Sequence, residues 1–309
     1  MKILGIGNAI VDVICKVNDE FITKNNLTKG LMKLIFDQSE FSNLLSDLKI
    51  EKTISGGSVA NSIVGLSQLG DKVGFIGKIS DDHFGIKYEE GLKKENVNFF
   101  YKKKKEILPT GTCLILITPD SERTMCTFLG TAGKISKNDL NTEVIKKSDL
   151  VFLEGYLWDE GDPKEAFEKA INLGNKTAMS LSDKFCVDRH KSDFLNLVKN
   201  KLDLVFANEG EIISLIDAKS FDEVISFGKE IKKHLVITRG EKGAISIHKN
   251  KIEEIGAKKD LKIVDLTGAG DLFAAGYLHG FVNNFSQKEC LTKATEMSSK
   301  IIQQIGARF

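Results

Sequence analysis

Short apolar runs rich in β-branched residues alternate with longer amphipathic stretches along most of the chain. Such runs predict buried strands, and the apolar period of the longer stretches predicts helices. The predicted strands cover residues 3–7, 72–77, 150–154, 177–180, 204–207, 235–238 and 243–248. The predicted helices cover residues 58–69, 164–173, 192–200, 209–215 and 221–233. Strands that alternate with helices need crossover connections, so the pattern predicts an α/β fold with a mostly parallel sheet covered on both faces.

Two segments, from about 12 to 50 and from about 98 to 129, depart from this alternation, because they contain strand-like pieces with little helical period. In the second, residues 112–118 and 123–128 flank the turn-forming string Pro-Asp-Ser-Glu at 119–122 and predict a hairpin. We expect both segments to form a small β-rich subdomain on the main body. No linker rich in proline, glycine or serine divides the chain, so we predict a single domain over residues 1–309.

The composition is that of an ordinary globular protein, with 41% hydrophobic and 28% charged residues. A formal net charge of +1 favours neither a nucleic acid nor an anionic membrane as a partner. The five cysteines are far apart, which disfavours a zinc site or a disulfide framework and predicts a reducing, cytoplasmic compartment. No apolar run is long enough to predict a transmembrane helix.

The most informative segment, residues 264–276, changes from a β-like run into a glycine-rich turn that ends at Asp271, and then into a helical pattern. The turn therefore lies at a helix N-terminus, where we expect the N–H groups of Gly268, Ala269 and Gly270 to be unpaired beside the positive end of the helix dipole. Such a turn binds phosphate without a lysine. Taken alone, it leaves two roles for the Asp271 carboxylate: a helix cap, or a base that accepts a proton from an attacking hydroxyl.

The longer string D-L-T-G-A-G-D-x-F-x-A-G at 265–276 resembles the C-terminal signature of the ribokinase (PfkB) family of carbohydrate and nucleoside kinases. Upstream, the string G-G-S-V-A-N at 56–61 resembles the family's G-G-x-x-x-N signature. The resemblance implies a three-layer α/β/α sandwich with a small β-sheet lid. It also implies in-line transfer of the γ-phosphate of ATP to a substrate hydroxyl, with Asp271 as general base and the backbone of 268–270 as an anion hole.

The family's substrate-binding residues map onto several positions. Gly56, Gly57 and Asn61 correspond to the glycines and asparagine that contact the substrate. Asp12 closes a stretch that resembles the family's opening strand, whose aspartate binds substrate hydroxyls; a turn residue at a strand end is the alternative. Arg123, in the predicted hairpin, looks like the lid arginine of adenosine-kinase-like members, and a surface ion pair is its alternative.

Further matches concern the nucleotide and its metal. Asn208 and Glu211 fit the family's N-x-x-E motif, and Glu211 is expected to hold Mg²⁺ mostly through water; an ordinary helix start is the alternative. The string T-R-G-E-K-G resembles the T-x-G-x-x-G nucleotide loop, although without the resemblance it is a tight turn between two strands. It adds Thr238, Gly240 and Gly243 to the nucleotide-binding residues. Thr267 is a further nucleotide-binding assignment. Potassium activates parts of the family, and Asp265 would be its contact, although nothing in the sequence shows this.

Several stretches, among them 5–12, 122–130 and 306–308, look most like the adenosine-kinase-like branch and its bacterial sugar-kinase relatives. We therefore expect a small-molecule substrate, a nucleoside with adenosine favoured, and keep a sugar such as ribose, fructose or 2-keto-3-deoxygluconate as the alternative. An aromatic wall for a purine would come from Phe36, Phe128 or Phe185, which core packing explains equally well. Both a monomer and a homodimer are compatible with the sequence.

Three rival classes remain to be weighed. Gly5-x-Gly7 is followed by Ile10 in place of a third glycine, so the dinucleotide fingerprint of a dehydrogenase is incomplete. The Walker string G-x-x-x-x-G-K-[ST] is absent, which excludes that class of NTPase. A non-catalytic sensor with the same fold stays open, but Asp271 argues against it, because a pure binder has no use for a base beside a phosphate.

Overall fold

The computed structural model describes residues 1–120, 122–158 and 161–309, so Ser121 of the predicted turn lies outside the described residues. The strands are β1 (Ile3–Ile6), β2 (Ile10–Lys16), β3 (Met32–Leu34), β4 (Ile50–Ser55), β5 (Val73–Ile76), β6 (Asn98–Phe99), β7 (Gly111–Ile117), β8 (Arg123–Phe128), β9 (Leu150–Glu154), β10 (Thr177–Ser180), β11 (Leu204–Asn208), β12 (His234–Thr238), β13 (Ala244–His248) and β14 (Lys251–Ile255). The helices are α1 (Asp19–Lys24), α2 (Gln38–Ser46), α3 (Ser58–Gln68), α4 (His83–Lys94), α5 (Thr142–Lys146), α6 (Asp162–Leu173), α7 (Lys184–Arg189), α8 (Lys191–Asn200), α9 (Glu209–Ile216), α10 (Phe221–Ile231), α11 (Ala269–Val282) and α12 (Gln287–Ile301).

The large sheet has the strand order β14-β13-β12-β11-β10-β9-β1-β5-β6. Neighbours from β12 to β6 pair in parallel, whereas β13 and β14 join one edge antiparallel. Successive residues of β1 face opposite layers: Ile3 packs in the core that contains α3 and α11, and Leu4 packs in the core that contains α6 and α8. Helices therefore cover both faces, and the predicted α/β fold with a mostly parallel sheet is confirmed.

The small sheet has the order β3-β8-β7-β2-β4. Strands β7 and β8 pair antiparallel, with Ile115 opposite Met125, as the predicted hairpin requires. The expectation of little helix between 12 and 50 is wrong, because α1 and α2 lie there. Each begins at a side-chain cap: Asn18 accepts a hydrogen bond from Phe21 N, and Asp37 accepts one from Glu40 N.

Two helices position the residues of interest. α3 and α11 pack side by side, and Ser62 Oγ donates to the backbone oxygen of Asp271 at 2.8 Å. α12 packs closely on α11 because Gly276 has no side chain; a Cβ there would lie 2.6 Å from Lys293 O. Both α3 and α11 begin near the carboxyl ends of the parallel strands, the edge where open α/β sheets bind ligands. Within the described ranges, no helix is long and apolar enough to cross a membrane.

Candidate active site

The glycine-rich turn precedes α11, as the sequence predicts. Gly268 is the N-cap residue with φ +78°, and a Cβ there would lie 2.6 Å from Ala307 Cα, so this position requires glycine. The expectation that Ala269 N–H is free is wrong, because it donates to Leu266 O at 3.2 Å and closes the turn. Over the described part of the chain, the N–H groups of Gly268 and Gly270 meet no acceptor. Of the three donors predicted at 268–270, those of the two glycines are therefore free.

Asp265 joins this turn to two distant segments. Its Oδ1 accepts hydrogen bonds from Thr267 N at 3.0 Å and Thr267 Oγ1 at 2.7 Å. Its Oδ2 accepts from Gly306 N at 2.7 Å and forms an ion pair with Arg123 Nη1 at 2.7 Å. Burial alone would raise the pKa of Asp265, but these hydrogen bonds and the Arg123 charge lower it. The guanidinium of Arg123 thus pairs with the body of the protein, and its side chain is only 19% exposed.

Asp271 is held by α3 and does not cap its own helix. Ser58 Oγ donates to its Oδ1 at 2.6 Å, and Asn61 Nδ2 donates to its Oδ2 at 2.9 Å. Burial raises the pKa of Asp271, against the effect of both hydrogen bonds and of the Arg308 charge. Of the two roles left open by the sequence, the geometry disfavours the cap.

Arg308 lies in the candidate site, although the sequence analysis assigned it no role. Its Nε donates to Asn61 Oδ1 at 2.9 Å, and its Nη2 lies 3.5 Å from Gly56 O. Both ends of the Asn61 amide are therefore engaged, one by Arg308 and the other by Asp271. Two signals were available: Arg308 is one of four arginines in a chain dominated by lysine, and it belongs to the stretch 306–308 that resembles the adenosine-kinase-like branch.

The substrate-side residues Asp12, Gly56 and Gly57 come together at the start of α3. A Cβ on Gly56 would lie 2.4 Å from Asp12 Oδ2, so the missing side chain makes room for this carboxylate. Gly57 has φ +96°, and a Cβ there would lie 2.3 Å from Asn8 O. Burial raises the pKa of Asp12 to about 7, and among the described residues no group donates a hydrogen bond to its carboxylate. Its oxygens are thus available to a ligand.

Glu154 is a third buried carboxylate, after Asp271 and Asp12, and the sequence analysis assigned it no role. Its oxygens accept the backbone N–H groups of Asn8 and Val59, each at 2.9 Å, which joins the end of β1 to the start of α3. Burial raises its pKa to about 7, against these two hydrogen bonds. A charged residue at the end of the apolar run L-V-F-L-E was the available signal.

The predicted nucleotide and metal residues lie farther along the same edge. Asn208 at the end of β11 is opposite Thr238 at the end of β12. Glu211 forms a capping box with Asn208, as in an ordinary helix start, and Asn208 Nδ2 also donates to Glu211 Oε1 at 2.6 Å. Asn208 engages both carboxylate oxygens, which disfavours direct coordination of a metal by Glu211. Burial raises its pKa to about 7, and the charge of nearby Asp183 adds to this effect.

Gly240 and Gly243 form the tight turn between β12 and β13. Their φ angles are +56° and +89°. A Cβ on Gly243 would lie 2.0 Å from Ile255 O, so the fold alone requires this glycine. Around Gly240 the space is open, which leaves room for a ligand there.

A free-donor turn at a helix N-terminus, a carboxylate beside it and polar residues along the carboxyl ends of a parallel sheet are together typical of kinases that phosphorylate an alcohol. The family model described as pfkB family carbohydrate kinase matches residues 26–309, and the chain belongs to this family. It is a kinase of the adenosine-kinase-like branch with a ribokinase-like fold, so the expected family and the expected fold are both confirmed.

Three relatives illustrate this placement. The structure of adenosine kinase from Sinorhizobium meliloti has a TM-score of 0.90 and 34% identity, and the match covers 100% of this chain and 95% of that chain. Adenosine kinase 2 of Arabidopsis thaliana is 26% identical over 99% of this chain and 95% of its own length. A 5-dehydro-2-deoxygluconokinase of Clostridium botulinum is 26% identical over 88% of this chain and 85% of its own length.

Proposed function

We propose that this kinase transfers the γ-phosphate of ATP to a hydroxyl of a nucleoside, with adenosine as the favoured substrate. The observation that carries the proposal is the Asp271 carboxylate, held by Ser58 and Asn61 beside the free N–H groups of Gly268 and Gly270. The choice of adenosine is supported by the adenosine kinase of Sinorhizobium meliloti at 34% identity over the whole chain.

The chemistry follows from this arrangement. Asp271 accepts the proton of the substrate hydroxyl, and the oxygen attacks the γ-phosphorus as the bond to ADP breaks in line. The amides of Gly268 and Gly270 hold the negative charge of the migrating phosphoryl group, and the positive end of the α11 dipole adds to this effect. Asp12 accepts hydrogen bonds from substrate hydroxyls, because no described residue occupies its oxygens.

ATP and Mg²⁺ belong to the same proposal. We assign five residues to the nucleotide: Asn208, Thr238, Gly240, Gly243 and Thr267. A magnesium ion would neutralise phosphate charge there, with Glu211 holding its water ligands. Potassium gains no support, because Thr267, Gly306 and Arg123 already engage both oxygens of Asp265.

A sugar substrate is the second candidate, favoured by the relationship to a 5-dehydro-2-deoxygluconokinase. Of the three phenylalanines that the sequence offered as an aromatic wall for a purine, the structure buries one. Phe128 is 4% exposed and stacks on Phe41 in the core, whereas Phe36 and Phe185 are 85% and 76% exposed. Of these three rings, Phe36 and Phe185 remain as candidates for contact with a purine.

The first test measures ADP release with ATP and Mg²⁺ for adenosine, ribose, fructose, 2-keto-3-deoxygluconate and 5-dehydro-2-deoxygluconate. We expect kcat/KM for adenosine to exceed that for each sugar about 100-fold or more, since a site built for one polar substrate rejects analogues that leave its groups unpaired. The reverse order establishes the sugar kinase. Tight binding without turnover of any compound establishes the sensor.

The second test is Asp271→Asn, which keeps the shape of the side chain but removes the base. We expect kcat to fall about 10²–10⁴-fold with nucleoside Kd largely kept, the usual effect of losing general-base catalysis. Asp222→Asn, an exposed aspartate in the first turn of α10, is the matched control and should retain wild-type kinetics. A D271N protein with most of its kcat removes Asp271 from the mechanism.

A further inference from the structure

Arg308 lies among the residues of the proposed site, although no motif gives it a role. It belongs to the segment 302–309 that follows α12, and the bond from Gly306 N to Asp265 Oδ2 anchors this segment beside the turn of α11. From there the guanidinium reaches the start of α3, where it contacts Asn61 and Gly56. Among the described residues, the other three of its five N–H donors meet no acceptor.

The contact with Arg308 determines the orientation of the Asn61 amide. Because Oδ1 accepts from the guanidinium, Nδ2 faces Asp271 and donates to its carboxylate. The flipped amide would place an NH₂ group against the guanidinium donors and an oxygen against the carboxylate, and both contacts would be repulsive. Arg308 therefore keeps the amide nitrogen of Asn61 directed at Asp271 as a hydrogen-bond donor.

The charge of Arg308 also acts on Asp271 directly. The other groups that face or interact with this carboxylate are the Ser58 hydroxyl, the Asn61 amide, Asp12 on β2, Glu154 on β9 and Tyr156 after β9. Burial favours a protonated Asp271, whereas the hydrogen bonds from Ser58 and Asn61 and the charge of Arg308 favour the ionised form. A protonated Asp271 cannot accept the proton of a substrate.

We propose that Arg308 is a positioning residue for phosphoryl transfer: it fixes the Asn61 amide as a donor to Asp271 and supplies the positive charge that keeps this carboxylate able to accept a proton. The inference rests on the proposed role of Asp271 as the base. It assigns the segment after α12 a part in catalysis through its contact with α3.

The pH dependence of kcat tests the proposal in Arg308→Gln and Arg308→Lys. We expect the acid limb of the profile to move up by about one pH unit in the glutamine variant, because an arginine beside an aspartate lowers its pKa by about 1–3 units. Lysine keeps the charge without the planar fork, so its limb should lie between the two. Arg189→Gln, an exposed arginine in α7, is the matched control and should leave the limb in place. A uniform loss of kcat at every pH, which lysine does not relieve, would show a structural role and overturn the proposal.

Carbon-13 NMR of protein labelled at the aspartate carboxyl carbons gives a readout without turnover, and Asp271→Asn identifies the resonance. We expect the titration midpoint of Asp271 in R308Q about one pH unit above that of the wild type. Should R308Q not fold, R308K replaces it, and a smaller shift in the same direction is required. An unchanged midpoint overturns the proposal even in an active kinase. A shifted midpoint in a protein that phosphorylates none of the tested compounds supports the effect of Arg308 on Asp271 and refutes the proposed function.

Discussion

Gly270, in the turn before α11, allows a test of ligand binding that does not disturb the fold. It lies in the first turn of α11, and a Cβ placed on it would meet no atom within 4 Å. Its φ lies outside the region that favours glycine. The fold therefore contains no reason for glycine at this position, and Gly270→Ala should raise the free energy of unfolding by up to about 0.5–1 kcal/mol.

The same substitution, Gly270→Ala, should lower kcat. In the proposed mechanism the phosphoryl group approaches the Gly270 N–H, and a methyl group beside that donor occupies the space of the phosphate oxygens. Losing one preorganised donor of this kind lowers kcat about 10²–10³-fold, which corresponds to about 2.7–4 kcal/mol of transition-state stabilisation. We therefore expect a more stable protein with a kcat lower by about two to three orders of magnitude.

Urea unfolding and steady-state kinetics on the same preparation measure both effects. Gly268→Ala is the comparison, because its positive φ and the 2.6 Å approach to Ala307 Cα predict a loss of both stability and activity. A Gly270→Ala protein with wild-type kcat and wild-type KM for ATP would refute the argument, since the phosphoryl group would then not approach this amide.

Two further predictions concern Glu211 and His234. Glu211→Gln keeps a capping-box side chain but weakens a water-mediated hold on magnesium, so the Mg²⁺ concentration for half-maximal rate should rise about 10-fold or more. Glu289→Gln, in the capping box of α12, is the control and should leave this concentration unchanged. Equal behaviour of the two variants would contradict the assignment. His234 stacks on His248 with ring centroids 3.6 Å apart, and burial lowers the pKa of His234 to about 4. Between this pKa and the ordinary His pKa of about 6.5, the unfolded chain binds a proton that the folded chain does not. The free energy of unfolding therefore decreases as pH falls from about 6.5 towards 4. His234→Phe should remove about 2 kcal/mol of this decrease between pH 7.5 and 5. Free energies of unfolding, measured in urea, that fall equally with pH in wild type and variant would refute this.

The large sheet was predictable because each of its buried strands is a short apolar run between polar segments. The ends of the predicted helices agree with the structure to within two residues, for example 58–69 against Ser58–Gln68. The two helices of the small-sheet region were not predicted because α1 and α2, of six and nine residues, lie among strand-like pieces that dominate the pattern of this segment. Their capping residues, Asn18 and Asp37, were the signal that remained.

The turn before α11 shows a limit of a different kind. Its position and its glycine follow from the string alone, but the closing bond from Ala269 N to Leu266 O depends on the path of the chain into the turn. The string predicts a helix start with free donors, and only the structure identifies which amides are free.

Contacts over long sequence distances explain why Arg308 and Glu154 were not assigned. Arg308 acts on Asn61, and Glu154 accepts N–H groups from Asn8 and Val59, so each role exists only after the parallel sheet has brought these segments together. Local periodicity carries no information about such pairs, and a single sequence indicates only that an isolated charge ends a buried strand.

The carboxylates along this edge also explain why the two arginines stand where they do. Burial raises the pKa of Asp12 and Glu154 to about 7 and raises that of Asp271 as well, so ionising all three at neutral pH costs stability. A protein selected for stability alone would replace such groups by apolar ones. Arg308 and Arg123 instead place positive charge near Asp12, which lowers the cost without removing the carboxylates. Asp12 accepts no hydrogen bond from the described residues, so it is a buried acid that the fold does not use, as expected of a group that binds substrate in the proposed function.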